Sequence, residues 1–301
     1  MSRINPIENI YVIDSADDLP SVLSQYVLYH LTYAGGLWYS PNGTSLLPVS
    51  GDYFSEVAKG NIPGEFLVSK FGSNPAVPNG SFELISSLSV APYAGYLQAA
   101  TTVRVKSGGN AADTAAGAGA RTVTVEGIDD SLNAAIETLT LAGSSASSSS
   151  STSFFRIHRA YVATVGSYTS PWNTAAIVIE NTAGTADLIT ILAADAQTLH
   201  CQYTVPTGYD AYLVGISLIP EGNKSVDFEL LTRANIDDVS VPVAPARRRG
   251  FWPGILAQYS PNIPFPRLLG SGPMDIFMEA QGNGAGLSAS AVMDLHMVSN
   301  T

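Results

Sequence analysis

The residues able to carry chemistry are few, and their spacing does not suit it. Four histidines, His30, His158, His200 and His296, each fall in a segment that reads as a strand, and no two stand at metal-ligand spacing. His200 and Cys201 are adjacent, so on a strand they point to opposite faces and cannot grip one ion. Cys201 is the chain's one cysteine, so no internal disulfide can form. Carboxylates pair at Asp17-Asp18, Asp129-Asp130 and Asp237-Asp238. Such pairs could serve glycoside hydrolysis or hold calcium. The calcium pattern, acids at alternate positions around a central glycine, is missing, and the latter two pairs fall near turns, where Asp caps the backbone. No G-x-S-x-G elbow occurs. Gly108-Gly109 and Gly117-Ala118-Gly119 lack the Gly-Lys-Ser/Thr of a phosphate cradle and read as turn glycines. The expectation is therefore no catalytic residue, no metal, no cofactor and no enzyme.

Two features point instead to contact surfaces. Arg247-Arg248-Arg249-Gly250-Phe251-Trp252-Pro253 places three arginines together in an acidic chain. It reads either as an exposed loop paired with the chain's own acids or as a partner-docking patch formed by Arg247, Arg248, Arg249 and Trp252, residue types favoured at interface hot spots. Pro242, Pro245, Pro253, Pro261, Pro264 and Pro266 surround it and predict an extended arm near 240–268 with little ladder pairing of its own. Tyr168 and Trp172, on a loop, are candidate outward-facing aromatics that could stack on sugars.

Composition narrows the partners. The chain has 301 residues and a formal net charge of −11, which opposes general nucleic-acid binding and attachment to an anionic membrane. Charged residues make up only 13%, about half the usual share. Few charges keep neighbours apart, so such a surface favours association. The acidic N-terminus lacks the apolar core of a signal peptide. No apolar run approaches the roughly 18 residues of a membrane span. A soluble protein folding in a reducing cytoplasm is the expectation.

The elements that must position these residues are strands. Asn9–Asp14, Tyr26–Tyr33 and Leu37–Tyr39, with a turn or capped short helix at Ser15–Pro20 and turns at Ala34–Gly36 and Ser40–Gly43, predict a small N-terminal β-hairpin domain over 1–78 for attachment or oligomerisation. The Pro/Gly/Asn-rich stretch Phe71–Gly80 reads as the domain boundary. Over 79–301, strands are expected at 100–105, 121–127, 136–141, 154–163, 175–180, 188–192, 199–205, 212–218, 226–232, 275–280 and 291–298. Val123 and Val125 alternate with Thr122, Thr124 and Glu126, as in a strand with one wet face. The serine run Gly143–Ser153 reads as a solvated loop. Short strands between Gly/Pro/Asn turns predict an all-β fold, an antiparallel β-sandwich or jelly roll.

Thr122–Asp129, Glu137–Leu141, Phe155–Val162 and Tyr203–Leu213 together resemble a loose group of virion structural proteins of tailed bacteriophages, notably those of aquatic bacteria. The likeness spans roughly 100–232. The opening Tyr11–Ser15 with Gly35–Tyr39 is similar to the leading modules of phage appendage proteins. The resemblance implies a non-catalytic particle component, assembled in the host bacterial cytoplasm and acting through symmetric contacts. A capsid decoration, cement or head-fibre-like protein is the first reading. A tail fibre, fibre anchor or receptor-binding component is the second. Partners would be the major capsid protein or tail and portal-proximal virion proteins, further copies of the chain (a trimer favoured) and a host surface glycan, with neither nucleic acid nor membrane insertion.

Overall fold

The computed structural model describes residues 10–13, 28–31, 36–39, 47–48, 53–87, 99–109, 111–168, 172–240 and 243–300. The turns expected at Ser15–Pro20 and Ser40–Gly43 lie outside these residues, as does Pro242. Contacts divide the chain into two units, Met1–Leu67 and Val68–Thr301.

In the first unit, β1 (Ile10–Ile13), β2 (Leu28–Leu31), β3 (Gly36–Tyr39) and β4 (Leu47–Pro48) form one sheet in that order. The β2–β3 pair is antiparallel, as expected for a hairpin; of the turn expected at Ala34–Gly36 only Gly36 is described, and it opens β3. β1 lies parallel to β2, so the unit is more than a hairpin. A helix, α1 (Tyr53–Ala58), follows. At six residues it is too short for a helical period to show in the sequence.

The second unit holds β5 (Glu65–Val77), which enters it at Val68, then β6 (Glu83–Leu84), β7 (Thr101–Ser107), β8 (Ala120–Asp129), β9 (Ala134–Thr140), β10 (Ser153–Val165), β11 (Ile177–Asn181), β12 (Asp187–Ile191), β13 (Gln202–Val205), β14 (Tyr209–Glu221), β15 (Val226–Ala234), β16 (Arg247–Ile255), β17 (Arg267–Ser271), β18 (Met274–Gly282) and β19 (Leu287–Ser299). The expected boundary at Phe71–Gly80 is instead largely strand β5. Its Gly72 and Pro75 are tolerated because β5 is the outer strand of its sheet.

The strand order separates two sandwiches where the sequence predicts one. One sheet runs β17-β14-β19-β5 and the facing one β13-β18-β15-β16. Counting only these eight strands in chain order, the first pairs the eighth, the second the seventh, the third the sixth and the fourth the fifth. That is the double Greek key of a jelly roll. Its core comes from period-two alternation: Leu287, Ala289, Ala291, Met293, Leu295 and Met297 on β19 are all buried, as are Val226, Phe228 and Leu230 on β15 and Met274, Ile276, Met278 and Ala280 on β18.

The other six strands, β7 to β12, form a sheet in the order β12-β11-β7-β10-β8-β9, inserted between the first and second strands of the jelly roll. β7 and β10 share two residue pairs, Thr102 with Ser153 and Thr101 with Phe154. The sheet folds over at that joint around one core that includes Val103, Val105, Val123, Val125, Phe154, Ile157, Ile177 and Ile189. Part of the serine run is structural rather than a solvated loop. Ser147 and Ser150 accept from and donate to the backbone of Val105 and Val103, covering β7 where it would otherwise be an open edge.

The chain leaves the jelly roll after Ser87 and returns at Leu199, and the two crossings are clasped. Backbone bonds join Ser87 N to Leu199 O (3.1 Å) and Cys201 N to Ile85 O (3.0 Å). Ser86 Oγ and His200 Nδ1 stand 2.7 Å apart beside them. Strand β5 passes so close that a Cβ on Gly72 would lie 2.3 Å from Cys201 N and 2.4 Å from Ile85 O.

Candidate functional site

The histidines of the second unit and the cysteine are structural. Lys70 is buried and donates from Nζ to the His158 carbonyl at 2.6 Å, and burial lowers its pKa to about 8. Burial pushes His158 well below the usual histidine range and His200 down to about 3, so both imidazoles are neutral at pH 7. Burial pushes the Cys201 thiol up to about 12, which removes the thiolate a nucleophile or metal ligand needs. His296 lies buried on β19, while His30 is placed only by its strand, β2. Among the described residues no group of three or more His, Cys, Asp or Glu is arranged to hold a metal ion.

Asp17-Asp18 lie outside the described residues, and the other two Asp pairs cap turns. Asp129 Oδ1 accepts from the backbone of Ser131 and Asn133, both at 2.9 Å, and Asp238 Oδ1 from Ser240 at 3.2 Å. Ile128, Leu132 and Ile236 share one apolar cluster, which brings the two Asp pairs to the same corner of the unit.

The three arginines do not lie on a loop. They open β16, the outer strand of its sheet, and β16 pairs antiparallel with β15 from Thr232–Arg247 to Val226–Ile255. The expected lack of ladder pairing is corrected for 247–255. The register skips Pro253 and Gly254, so the proline sits in a bulge at an open edge, where its missing N–H is tolerated. Arg248 meets Glu229 at 2.5 Å through Nε and Nη2. Its guanidinium lies 4.6 Å from the ring centre of Phe251 and 5.8 Å from that of Phe82. Glu229 stands directly opposite Glu279 on β18. Burial, followed by the nearby Glu229 and Glu83 carboxylates, raises Glu279 to about 7. Arg248 thus balances an acidic group in its own sheet. Arg249 donates from Nε to Thr232 Oγ1 at 2.9 Å, and Arg247 is exposed. Trp252 is half-buried on the same strand.

Between Ile255 and β17 the chain forms no strand of its own and bends at Ala257, Pro264 and Phe265. Reciprocal backbone bonds of 2.9 Å between Tyr259 and Leu218 pin it to β14. Leu256 is 69% exposed and Phe265 72%. Of the 13 large hydrophobics exposed among the described residues, seven fall between Val239 and Leu268: Val239, Val243, Phe251, Leu256, Tyr259, Phe265 and Leu268. The sequence from Val239 to Met274 carries four arginines and no acidic residue, in a chain with 25 acids. The edge and arm therefore combine exposed apolar area with a positive charge opposite to that of the rest of the molecule. Sequence reasoning located the arginines and prolines but missed Phe82, Glu229 and Glu279, which only strand pairing brings to Arg248.

Tyr168 is fully exposed after β10, and Trp172 is 58% exposed at the rim of a cleft on the inserted sandwich. They lie on the insert, and the arginine edge belongs to a different sheet.

The architecture defines the chain as a jelly-roll protein carrying a second β-sandwich between the first two strands of the roll. No protein-family model matches the chain, and no curated protein matches it. Solved structures with a weak likeness to it include two of infectious bursal disease virus. One, of infectious bursal disease virus Gt strain, is 9% identical at a TM-score of 0.22. The other, a VP2 subviral particle of infectious bursal disease virus, is 11% identical at a TM-score of 0.17. Each pairing covers 82% of this chain and 78% of the other. Scores this low carry no inference about fold or role.

Proposed function

We propose that this chain is a non-catalytic structural protein of a virion, built into the particle through the β16 edge and the arm that follows it. The observation that carries this reading is the coincidence, on one edge, of exposed apolar side chains with four arginines and no acid between Val239 and Met274. An outer strand offers unpaired backbone groups as a template for a neighbour, and arginine and proline on it guard against random pairing until a fitted partner covers it. The partner is one with an acidic face, and a second copy of this chain satisfies that requirement. Opposite charge on two surfaces of one chain favours a head-to-tail contact that closes into a ring, a trimer being the simplest case. Jelly rolls serve both capsid and lectin domains, so the fold alone does not decide the role.

The finer reading is a decoration or cement protein on the capsid of a tailed phage, assembled in the host bacterial cytoplasm. A tail fibre or receptor-binding component is the second reading, favoured by the outward Tyr168 and Trp172. The test replaces Arg247 and Arg249 by Glu, keeping Arg248 because its ion pair supports the sheet. Incorporation into particles should fall, while stability drops by no more than about 1 kcal/mol for the lost Arg249–Thr232 hydrogen bond. Normal incorporation of the doubly reversed variant would refute docking through this edge. Quantitative mass spectrometry of particles then separates the two locations: a capsid-wide copy number supports decoration, and a few copies per particle support the tail.

A further inference from the structure

The inserted sandwich carries an open cleft of about 490 Å3, within the size range of small-molecule sites. We propose that this cleft binds a neutral, hexose-based glycan, with Trp172 as the stacking platform and Asp195 as the acceptor of adjacent sugar hydroxyls. This goes beyond a structural role and does not depend on it.

Three groups set the chemistry. Trp172 leaves its indole exposed at the rim, a large apolar face with one polar N–H, suited to the C–H face of a pyranose. Asp195 lines the same cleft, and its carboxylate has no hydrogen bond or ion pair with any described residue. Partial burial raises its pKa, so it gains from hydroxyl donors. Arg159 stacks 4.7 Å from the ring centre of Tyr161. Its charge is already engaged, by Glu126 at 3.6 Å and by Gln197 Oε1 at 3.3 Å. The cleft therefore keeps one unbalanced negative charge, which disfavours acidic sugars and leaves neutral ones.

The site is built rather than incidental. Ala194 and Ala196, on either side of Asp195, both adopt left-handed backbone, with φ of 68° and 61°. For alanine this is strained, and strain of this kind persists only where the surroundings enforce it. Asn173, next to Trp172 and fully buried, enforces it. Its carbonyl accepts from Ala194 N (2.9 Å), its Oδ1 accepts from Ala196 N (3.0 Å), and its Nδ2 donates to Leu192 O (2.7 Å) and Ala175 O (2.9 Å). Buried Asp113 accepts from the backbone of Thr174 and Ala175 at 3.0 and 2.9 Å and fixes the other side of that loop. The backbone segments that carry Trp172 and Asp195 are thus tied together by Asn173, so little backbone order is lost on binding.

The experiment titrates the full chain with maltohexaose, cellohexaose, mannohexaose and a galactan fragment in turn. A uronic-acid oligosaccharide and a basic peptide serve as controls. Tryptophan fluorescence and calorimetry give the readout. At least one neutral oligosaccharide should bind, and Trp172→Ala and Asp195→Asn should each weaken it about tenfold or more. Trp172→Phe should keep most of the affinity. Both sites are on the surface, so thermal midpoints should be unchanged. The proposal is overturned if no neutral oligosaccharide approaches saturation below about 10 mM, if binding survives both substitutions, or if only the charged sugar or the peptide binds.

Discussion

Arg156 on β10 and Asp275 on β18 form a buried ion pair, Nε to Oδ2 at 3.4 Å, that fastens the inserted sandwich to the jelly roll. Thr204 Oγ1 donates to the other carboxylate oxygen at 2.8 Å, and Arg156 Nη1 donates to the Phe155 carbonyl at 3.0 Å. Breaking one side of such a pair strands a buried charge. Arg156→Met should therefore destabilise by about 3–5 kcal/mol, and adding Asp275→Leu should recover most of the loss. Urea midpoints of the two single variants and the double variant check this. A double variant no better than the worse single one would contradict it.

Glu279 and Glu229 give a pH dependence whose sign can be worked out. The folded pKa of Glu279, about 7, lies above its ordinary 4.5. Between those values the folded protein holds a proton that the unfolded chain releases, so this pair's contribution to stability falls as pH rises through the window. Below it the contribution is complete, and above it the two opposed charges rely on Arg248, with Glu83 adding to the repulsion. Glu279→Gln should be more stable than the parent at pH 8 and nearly equal to it at pH 5, as read from denaturant midpoints at the two pH values.

His200 contributes with the opposite sign. Its folded pKa, about 3, is below the ordinary 6.5, so stability is lost as pH falls through that window because the unfolded chain takes up the proton. Ring-carbon NMR shifts should show His200 still neutral at pH 5. An imidazolium there in the folded protein would mean that the clasp at Ser86 is not as described.

Gly72 tests the crossing point of the insertion. A methyl group there meets backbone atoms of Cys201 and Ile85 rather than flexible side-chain ends. Gly72→Ala should cost at least about 1–3 kcal/mol, measured as a drop in thermal midpoint. A neutral result would show that β5 lies further from the clasp.

Much of the fold was legible because a half-buried strand prints its alternation in the sequence, as Val123 and Val125 do between threonines. Which strands pair is not printed there. The alternation of β7 in the insert looks like that of β15 in the roll, so two sandwiches read as one. β5 escaped because Gly72, Asn74 and Pro75 imitate a linker. Gly72 is required by the close approach of Cys201, and Pro75 is allowed by an outer strand. The arginine run was visible as an anomaly, but its setting was not: Glu229 lies 19 residues before Arg248 and reaches it only through the β15–β16 ladder. Asn173 and Asp195 gave no signal, since left-handed backbone at Ala194 and Ala196 has no counterpart in residue type.

The most direct test is a side-chain-resolution map of an intact virion containing this chain. The account expects symmetry-related copies in which β16 and residues 256–266 are covered by neighbouring protein, with carboxylates facing Arg247 and Arg249. Finding the chain missing from purified particles, or present with that edge and arm open to solvent on every copy, would contradict it.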